Sequence, residues 1–445
     1  MPRLFGTDGV RGVAGSELSG ELAYRLGRAT VVALGHHGER RPLIAVGRDT
    51  RASGEFLEAA LTAGICSVGG DALLLGVCTT PGVAFLTHTL GATAGAVISA
   101  SHNPAEYNGI KLFGASGYKL PDDVEDEVEA IAASDDGPRP TGRGIGRTRQ
   151  DPHAQSRYLA HLEATVDGSI GGMRVVVDCA NGAASHAAPE LLRRLGAEVT
   201  TIHDAPDGWN INEGCGATHA EVVALAVADV GADAGVTHDG DADRALFSDA
   251  QGRVVDGDQV LAACALDLHR SGRLDGGLVV TTVMANQGFR VAMDQAGIQL
   301  RETKVGDRYV LEEMVRTGAV LGGEQSGHVI FHRHATTGDG LLTAAQFLTL
   351  ARRTGCSVAD LAAAMTRFPQ VLHNVAVGDR ERLGEAQEVW AAVRDAEAAL
   401  GDRGRVLVRA SGTEPLVRVM VEAATPDEAR EHAAAIAAAV STSLG

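Results

Sequence analysis

Short β-rich runs alternate with helical stretches from the start of the chain. Leu43 to Gly47, Ala72 to Val77 and Ala94 to Ala100 read as strands, with a helix beginning near Ser53. This alternation predicts βαβ units about a mainly parallel sheet. From Ser134 to Pro152 the chain is polar, rich in Gly, Pro and Arg and without apolar periodicity, which predicts a loop leading out of the first domain. A second unit follows, with strands at Arg174 to Asp178, Glu198 to Ile202 and Ala232 to Thr237, and a turn at Ala180-Asn181-Gly182. A third has strands at Leu278 to Thr282, at Gln299 to Thr303 and near Val320, with a helix after Asn286. The tail departs from this rhythm: a strand from about Pro369, a helix over Glu381 to Ala399, strands at Arg405 to Arg409 and Leu416 to Glu422, and a last helix from Pro426. Two neighbouring strands joined by a short turn predict an antiparallel pair.

The expected fold class is therefore α/β. Three similar domains with mainly parallel mixed sheets, at 1–153, 154–252 and 253–368, precede a smaller α+β domain at 369–445. The three units match in layout rather than in letters, so the expected repeat is structural. A chain of 445 residues is too long for one ordinary core, and its 45% hydrophobic and 22% charged content suits a soluble globular protein. Its 39 basic and 57 acidic residues leave a formal charge of −18, which argues against nucleic acid and anionic membrane surfaces as partners. A phosphorylated substrate would need local arginine clusters. The six cysteines are scattered without CxxC pairs, the Met-Pro-Arg-Leu-Phe-Gly start has no apolar signal region, and no apolar run approaches the roughly 20 residues that span a bilayer. The expected location is cytoplasmic.

Four loops carry candidate chemistry. Ile98-Ser99-Ala100-Ser101-His102-Asn103-Pro104 follows an apolar strand, at the carboxyl end where open α/β sheets place ligands, and makes Ser101 a candidate nucleophile. Only Lys111, Lys119 and Lys304 among the 39 basic residues are lysine. A guanidinium holds its proton throughout the accessible pH range, whereas a partly buried ammonium can exchange one, so Lys111 is a candidate general acid or base. Lys119 is expected to be incidental. The second loop, Asp239-Gly240-Asp241-Ala242-Asp243-Arg244, sets three carboxylates at period two, which can converge on a hard cation and favour Mg²⁺ over Zn²⁺. An EF-hand is excluded, because Arg244 stands where it needs Gly and Ala250 where it needs Glu. In the third, Gly322-Gly323-Glu324-Gln325-Ser326-Gly327-His328, Glu324 and Ser326 offer an acceptor and a hydroxyl that suit a sugar ring. The fourth, Arg409-Ala410-Ser411-Gly412-Thr413-Glu414-Pro415 with Arg418 beyond, has the composition of a phosphate cradle.

These loops, in this order and together with Phe5-Gly6-Thr7-Asp8-Gly9-Val10-Arg11-Gly12, closely resemble the active-site loops of the α-D-phosphohexomutase family. Asn210-Ile211-Asn212, Gly216-Ala217-Thr218-His219 and Glu324-Gln325-Ser326-Gly327-His328 look like its branch acting on glucosamine phosphates. The resemblance implies four domains around a central cleft, each giving one loop. It implies that Ser101 carries a phosphoryl group, that Asp239, Asp241 and Asp243 bind Mg²⁺ with it, and that Arg11 and Arg244 steady the phosphate. Lys111 and His102 would serve proton transfer, Glu324, Ser326 and His328 the sugar, and Arg409, Ser411, Gly412, Thr413 and Arg418 the phosphate that is not moving. The implied reaction interconverts glucosamine 6-phosphate and glucosamine 1-phosphate, in the supply of UDP-N-acetylglucosamine and cell-wall precursors. Glucosamine 1,6-bisphosphate or glucose 1,6-bisphosphate would be intermediate or primer. A homodimer is what the resemblance suggests. The alternatives are a mutase of the same family acting on mannose or glucose phosphates, and a metal-dependent sugar phosphatase. One departure is Ala242, where much of the family has glycine; a methyl group is expected to be tolerable there unless the backbone needs positive φ.

Overall fold

The computed structural model describes residues 3–6, 8–35, 41–134, 137–411 and 415–445. Two compact units emerge, Met1–Met284 with Ile298–Ala363, and Ala285–Gly297 with Ala364–Gly445.

The first unit contains three sheets. Strands β1 (Val10–Val13), β2 (Leu43–Arg48), β3 (Asp71–Val77), β4 (Ala94–Ile98), β5 (Tyr107–Gly114) and β6 (Thr148–Gln150) form one in the order β1-β5-β4-β2-β3-β6. Strands β7 (Arg174–Asp178), β8 (Glu198–Ile202), β9 (Ala234–His238), β10 (Ala245–Asp249) and β11 (Val254–Val255) form the second, ordered β11-β10-β9-β7-β8. The third contains β12 (Leu278–Thr282), β13 (Gln299–Thr303), β14 (Leu321–Gly323) and β15 (Val329–Phe331), in the order β13-β12-β14-β15. Each has a parallel centre and one antiparallel edge, where β5, β10 and β15 fold back on β4, β9 and β14. The three connections at those edges carry Ser101, the aspartates and Glu324 to His328, so the expected structural repeat brings each candidate loop to an equivalent position.

The central strands bury every residue: Ala94–Ile98, Ala234–His238 and Leu278–Thr282 are apolar enough to be covered on both faces by helices. In the first domain, helices Gly20–Leu34 and Ala52–Ser67 cross closely because Gly27 and Gly64 lack side chains. A Cβ on either would come within 2.2 Å of the Leu61 carbonyl oxygen or 2.0 Å of that of Tyr24.

Two local readings differ from the sequence expectation. Thr148–Gln150, inside the expected loop, is an edge strand parallel to β3; its three side chains are exposed, so backbone hydrogen bonds form it without any apolar signal. The helix expected from Glu381 starts at Gln387, after a short 3₁₀ turn over Arg380–Glu385 that contains Gly384, a poor helix former.

In the second unit, β16 (Gln370–Ala376), β17 (Gly404–Ala410) and β18 (Leu416–Ala423) form an antiparallel sheet ordered β16-β18-β17. Helices Gln387–Leu400 and Pro426–Leu444 pack on it through Val389, Val393, Val417, Val419, Val421, Ile436 and Val440. Helix Gln287–Gln295 belongs to this unit: the buried Glu422 carboxylate accepts from Asn286 Nδ2 at 3.1 Å, the Gln287 amide at 2.9 Å and Arg405 Nε at 2.7 Å. Among the described residues no helix is long and apolar enough to cross a membrane.

Candidate active site

The β9–β10 connection is a six-residue turn, 239–244, closed by a 2.9 Å contact between His238 Nδ1 and the Arg244 carbonyl. Asp239, Asp241 and Asp243 are buried, and each brings an oxygen within 4.8 Å of the others. Thr80 Oγ1 and Lys111 Nζ donate to Asp241 Oδ2 at 2.6 and 2.9 Å, while Ser101 Oγ donates to Asp239 Oδ2 at 2.7 Å. Asp241 Oδ1 and Asp243 Oδ1 are buried with no hydrogen-bond partner among the described residues. Leaving an acceptor buried and unpaired is costly, and three carboxylates so close repel one another. Burial, then Asp243 and Asp241, push the Asp239 carboxyl well above its ordinary range. A hard divalent cation would engage the two orphaned oxygens and offset the repulsion, so these residues fit such an ion, and a donor set made only of oxygen suits Mg²⁺.

Ala242 corrects the sequence expectation. Its φ is +57°, so the backbone does use the left-handed region that glycine prefers, and Ala242 adopts it with its methyl buried. The turn is pinned there by Ala242 N–H to the Asp239 carbonyl and Gly340 N–H to the Ala242 carbonyl, both 3.0 Å. The aspartates converge despite the local strain. Gly240 is needed for approach rather than for φ: a Cβ on it would lie 2.5 Å from the Ser101 carbonyl oxygen.

Ser101 also has positive φ, +52°, and is buried. His102 Nδ1 is 3.4 Å from its Oγ. Burial, with Arg244 and Arg11 nearby, holds this imidazole below its usual pKa, so it is neutral near pH 7. Arg244 Nε lies 3.8 Å from Asp243 and 4.0 Å from Asp239, buried and without a hydrogen-bond partner among the described residues. Arg11, on β1 opposite Gly109, pairs with Asp8.

Lys111 is almost fully buried and bridges Asp8 and Asp241, 2.9 Å from each. Burial opposes its charge, but Asp241, Asp8 and Asp243 outweigh this and keep it an ammonium. Lys119 is not incidental, contrary to expectation: its Nζ sits 2.7 Å from Asp8 and 2.5 Å from Asp307. Asp307 in turn lies 4.0 Å from His328 Nε2, and His328 Nδ1 is 3.4 Å from Asp243. A chain of alternating charge therefore runs from β1 through the lysines to the third loop. Thr80, Lys119 and Asp307 were missed as site residues because none stands in a recognised motif, and Asp8 because its place in the opening motif does not signal its lysine partners; for Lys119 the scarcity of lysine was the available clue.

The third loop is tied to the aspartate hairpin by Ala245 N–H to the Gly327 carbonyl at 3.0 Å. Glu324 Oε1 accepts from the Gly306 amide at 3.1 Å, and Ser326 Oγ is buried without a hydrogen-bond partner among the described residues. Beside Lys119, Asp307 and His328 opens a cavity of about 470 Å³, lined also by Tyr118, Leu311 and Ile330.

In the second unit, Arg409 and Arg418 face each other across β17 and β18. Both are half-buried, and burial with the neighbouring Arg418 pushes Arg409 below its ordinary pKa. Arg380 Nη1 donates to the Ser411 carbonyl at 2.8 Å, adding a guanidinium that sequence reading missed. Gly412 and Thr413, like Thr7 in the opening motif, lie outside the described residues.

A second group, Asp178, His203 and Cys215, has comparably close ligand atoms. Both Asp178 oxygens already accept backbone amides, from Ala180 at 3.0 Å and Gly216 at 2.9 Å, and burial pushes the Cys215 thiol up to about 12. These contacts make it a turn-holding knot.

Comparison with known proteins matches four profiles to the chain, described as phosphoglucomutase/phosphomannomutase alpha/beta/alpha domains I, II and III and C-terminal domain. They cover residues 2–139, 156–252, 256–368 and 372–439. A phosphoglucosamine mutase of Symbiobacterium thermophilum is 55% identical over 447 residues, covering 100% of both chains. The crystal structure of a phosphoglucomutase/phosphomannomutase family protein from Burkholderia thailandensis shares the fold with a TM-score of 0.83, at 23% identity over 99% of this chain and 97% of that one. An Aspergillus fumigatus N-acetylphosphoglucosamine mutase, solved with GlcNAc-6P and magnesium, has a TM-score of 0.69 at 19% identity, covering 99% and 96%.

Proposed function

The chain belongs to the phosphoglucomutase/phosphomannomutase family, and from that premise we propose that it is an isomerase interconverting glucosamine 6-phosphate and glucosamine 1-phosphate through a phosphorylated Ser101. The observation that carries the chemistry is Ser101 Oγ, 2.7 Å from Asp239 inside a turn with three buried carboxylates. The choice of amino sugar rests on the 55% identity, over the whole chain, to a phosphoglucosamine mutase.

In the forward direction the bond between phosphorus and Ser101 Oγ breaks as the 1-hydroxyl oxygen of glucosamine 6-phosphate bonds to phosphorus. The hydroxyl proton passes to the His102 and Lys111 region, where neutral His102 can accept it. The 1,6-bisphosphate then turns about, its 6-phosphoryl group moves to Ser101 Oγ, and glucosamine 1-phosphate leaves. Either that bisphosphate or glucose 1,6-bisphosphate would prime an unphosphorylated enzyme. Asp239, Asp241 and Asp243 would hold Mg²⁺, with an oxygen of phosphorylated Ser101 beside them. When bound, that ion supplies charge stabilisation for the moving phosphoryl group. Arg11 and Arg244 add fixed positive charge to the same end. Glu324, Ser326 and His328 orient the sugar hydroxyls, and Arg409, Ser411, Gly412, Thr413 and Arg418 hold the resting phosphate.

The test is a side-by-side assay of glucosamine 6-phosphate, mannose 6-phosphate and glucose 6-phosphate with Mg²⁺ and a catalytic amount of glucose 1,6-bisphosphate, recording isomerised sugar and free phosphate. Preference for glucosamine 6-phosphate with little free phosphate is expected. A strong preference for mannose 6-phosphate would overturn the substrate, and stoichiometric phosphate release would make the enzyme a phosphatase.

A further inference from the structure

The Ser101 loop rests on a buried ion pair outside the four candidate loops. Arg51 and Asp49, both fully buried, pair through Arg51 Nε and Asp49 Oδ2 at 2.9 Å. A guanidinium has five N–H donors, and every one here has a partner. Nε serves Asp49, while Nη1 donates to the carbonyls of Pro104 and, at 3.0 Å, Tyr107. Nη2 donates to those of Ser101 at 3.1 Å and Asn103 at 2.7 Å. Four donors are thus spent on the backbone of the segment that carries the nucleophile.

The other end of the pair closes a ring. Asp49 Oδ2 accepts from Ser99 Oγ at 2.6 Å, and Ser99 Oγ accepts from the Ser101 amide at 3.0 Å. The N–H and C=O of Ser101 are therefore gripped by one circuit: amide to Ser99, Ser99 to Asp49, Asp49 to Arg51, Arg51 to carbonyl. Asn212 Nδ2 adds bonds to the Ser101 and Asn103 carbonyls at 2.9 and 3.1 Å. The residue so held has φ of +52°, a conformation that costs a serine free energy and persists only where its surroundings impose it.

We propose that Arg51 is a positioning residue for phosphoryl transfer, which through the Asp49–Ser99 circuit locks Ser101 in the left-handed conformation that aims Oγ at the aspartate turn. It touches no substrate and acts through the backbone. A lysine could keep the charge but not span four carbonyls, since its ammonium has three donors at one point. The inference rests on the proposed mutase reading for its kinetic arm alone.

The experiment compares the full-length parent, Arg51→Lys and Ser99→Ala. It measures kcat and KM for glucosamine 6-phosphate per folded enzyme, and amide hydrogen exchange of the 99–104 segment against the β2 and β7 strands. Misplacing a reacting atom by about 1 Å costs about 100-fold, so Arg51→Lys should lower kcat by about that factor and Ser99→Ala by about tenfold, with KM within about threefold of the parent. Exchange should accelerate in 99–104 while the two strands stay protected. A kcat within about threefold of the parent in both variants, or a fall matched by an equal rise in KM, overturns the proposal. If Arg51→Lys does not fold, Ser99→Ala decides alone, because it removes one link and leaves the ion pair intact. Should the parent itself fail to isomerise the sugar, the mutase reading falls, and exchange then decides: faster exchange confined to 99–104 sustains the clamp, and unchanged exchange overturns it.

Discussion

The turn between β9 and β10 and the antiparallel pair β17–β18, which sets Arg409 opposite Arg418, carry opposite charge. The acidic turn is buried and braced by distant segments: Thr80, Ser101 and Lys111 bond its carboxylates, and His328 stands 3.4 Å from Asp243. The basic pair, Arg409 opposite Arg418, is half-buried on a small sheet, where solvent screens like charge. Burial decides what each can do. A desolvated acid cluster with two orphaned oxygens is organised before any ligand arrives and suits a step whose charge changes. A half-exposed guanidinium pair gains most from a dianion that comes and goes. The first hairpin should therefore govern kcat and the second binding.

Changes on the acidic side have the largest expected effects. Ser101→Ala should lower turnover by roughly 10⁴-fold or more because the phosphoryl carrier is gone, at a stability cost of about 1 kcal/mol for the lost hydrogen bond to Asp239. Intact mass should then find phosphate on the parent only; a phosphorylated Ser101→Ala protein would break the comparison outright. Asp243→Asn should cost about 10² to 10³ in kcat and leave KM nearly unchanged, as loss of fixed transition-state stabilisation does. Ligand that binds only the native state raises its melting temperature, so Mg²⁺ should stabilise the parent more than this variant, and a chelator should reverse the gain. Equal response of both proteins to Mg²⁺ would remove the cation from the aspartates.

Lys111→Arg keeps the charge but replaces the compact ammonium that sits 2.9 Å from both Asp8 and Asp241, and should reduce kcat by about 10- to 100-fold. Near-parent rates would leave Lys111 an electrostatic role only. On the basic side, Arg418→Ala should weaken glucosamine 6-phosphate and the 1,6-bisphosphate alike, by roughly tenfold, the equivalent of one charge-assisted contact of about 1.5 to 3 kcal/mol. Equilibrium binding measures this with Ser101 intact; unchanged affinity for both would make the hairpin an ordinary turn. The smallest effect is expected of Ala242→Gly. Relief of the left-handed φ favours glycine by about 1 kcal/mol, while the lost buried methyl opposes it by about 0.8 kcal/mol and greater freedom of the unfolded chain by about 0.4 to 1 kcal/mol. Denaturant unfolding should therefore shift by less than about 1 kcal/mol, with unchanged Mg²⁺ response. A large loss would mean that the methyl, rather than the carboxylates, organises the turn.

Strands such as Arg174–Asp178, Leu278–Thr282 and Gln299–Thr303 could be read directly from the letters, because an apolar run between polar turns is a local property. Ser101, the three aspartates and Glu324 to His328 were legible for a related reason: each loop keeps its chemistry within a few residues, after a strand that signals where it ends. The edge strand Thr148–Gln150 was hidden, since exposed side chains leave no pattern and hydrogen bonding to β3 alone makes it a strand. Ala242 marks a different boundary. The residue is evident in the sequence, but its positive φ arises from hydrogen bonds to Asp239 and Gly340 that composition does not encode.

What the sequence determined by itself was the class of fold, the order of the loops and the residue types able to bind a cation, a phosphate and a sugar. Tertiary structure decided which groups meet. Thr80 reaches Asp241 across 161 positions and Lys119 reaches Asp307 across 188, while Arg51 holds the Ser101 carbonyl from 50 positions away. Periodicity records which face of a strand or helix is buried, a property of neighbouring residues. The pairing of buried charges depends on how separate sheets pack, and there a lysine that looks spare in the sequence becomes the partner of two carboxylates that burial would otherwise leave uncompensated.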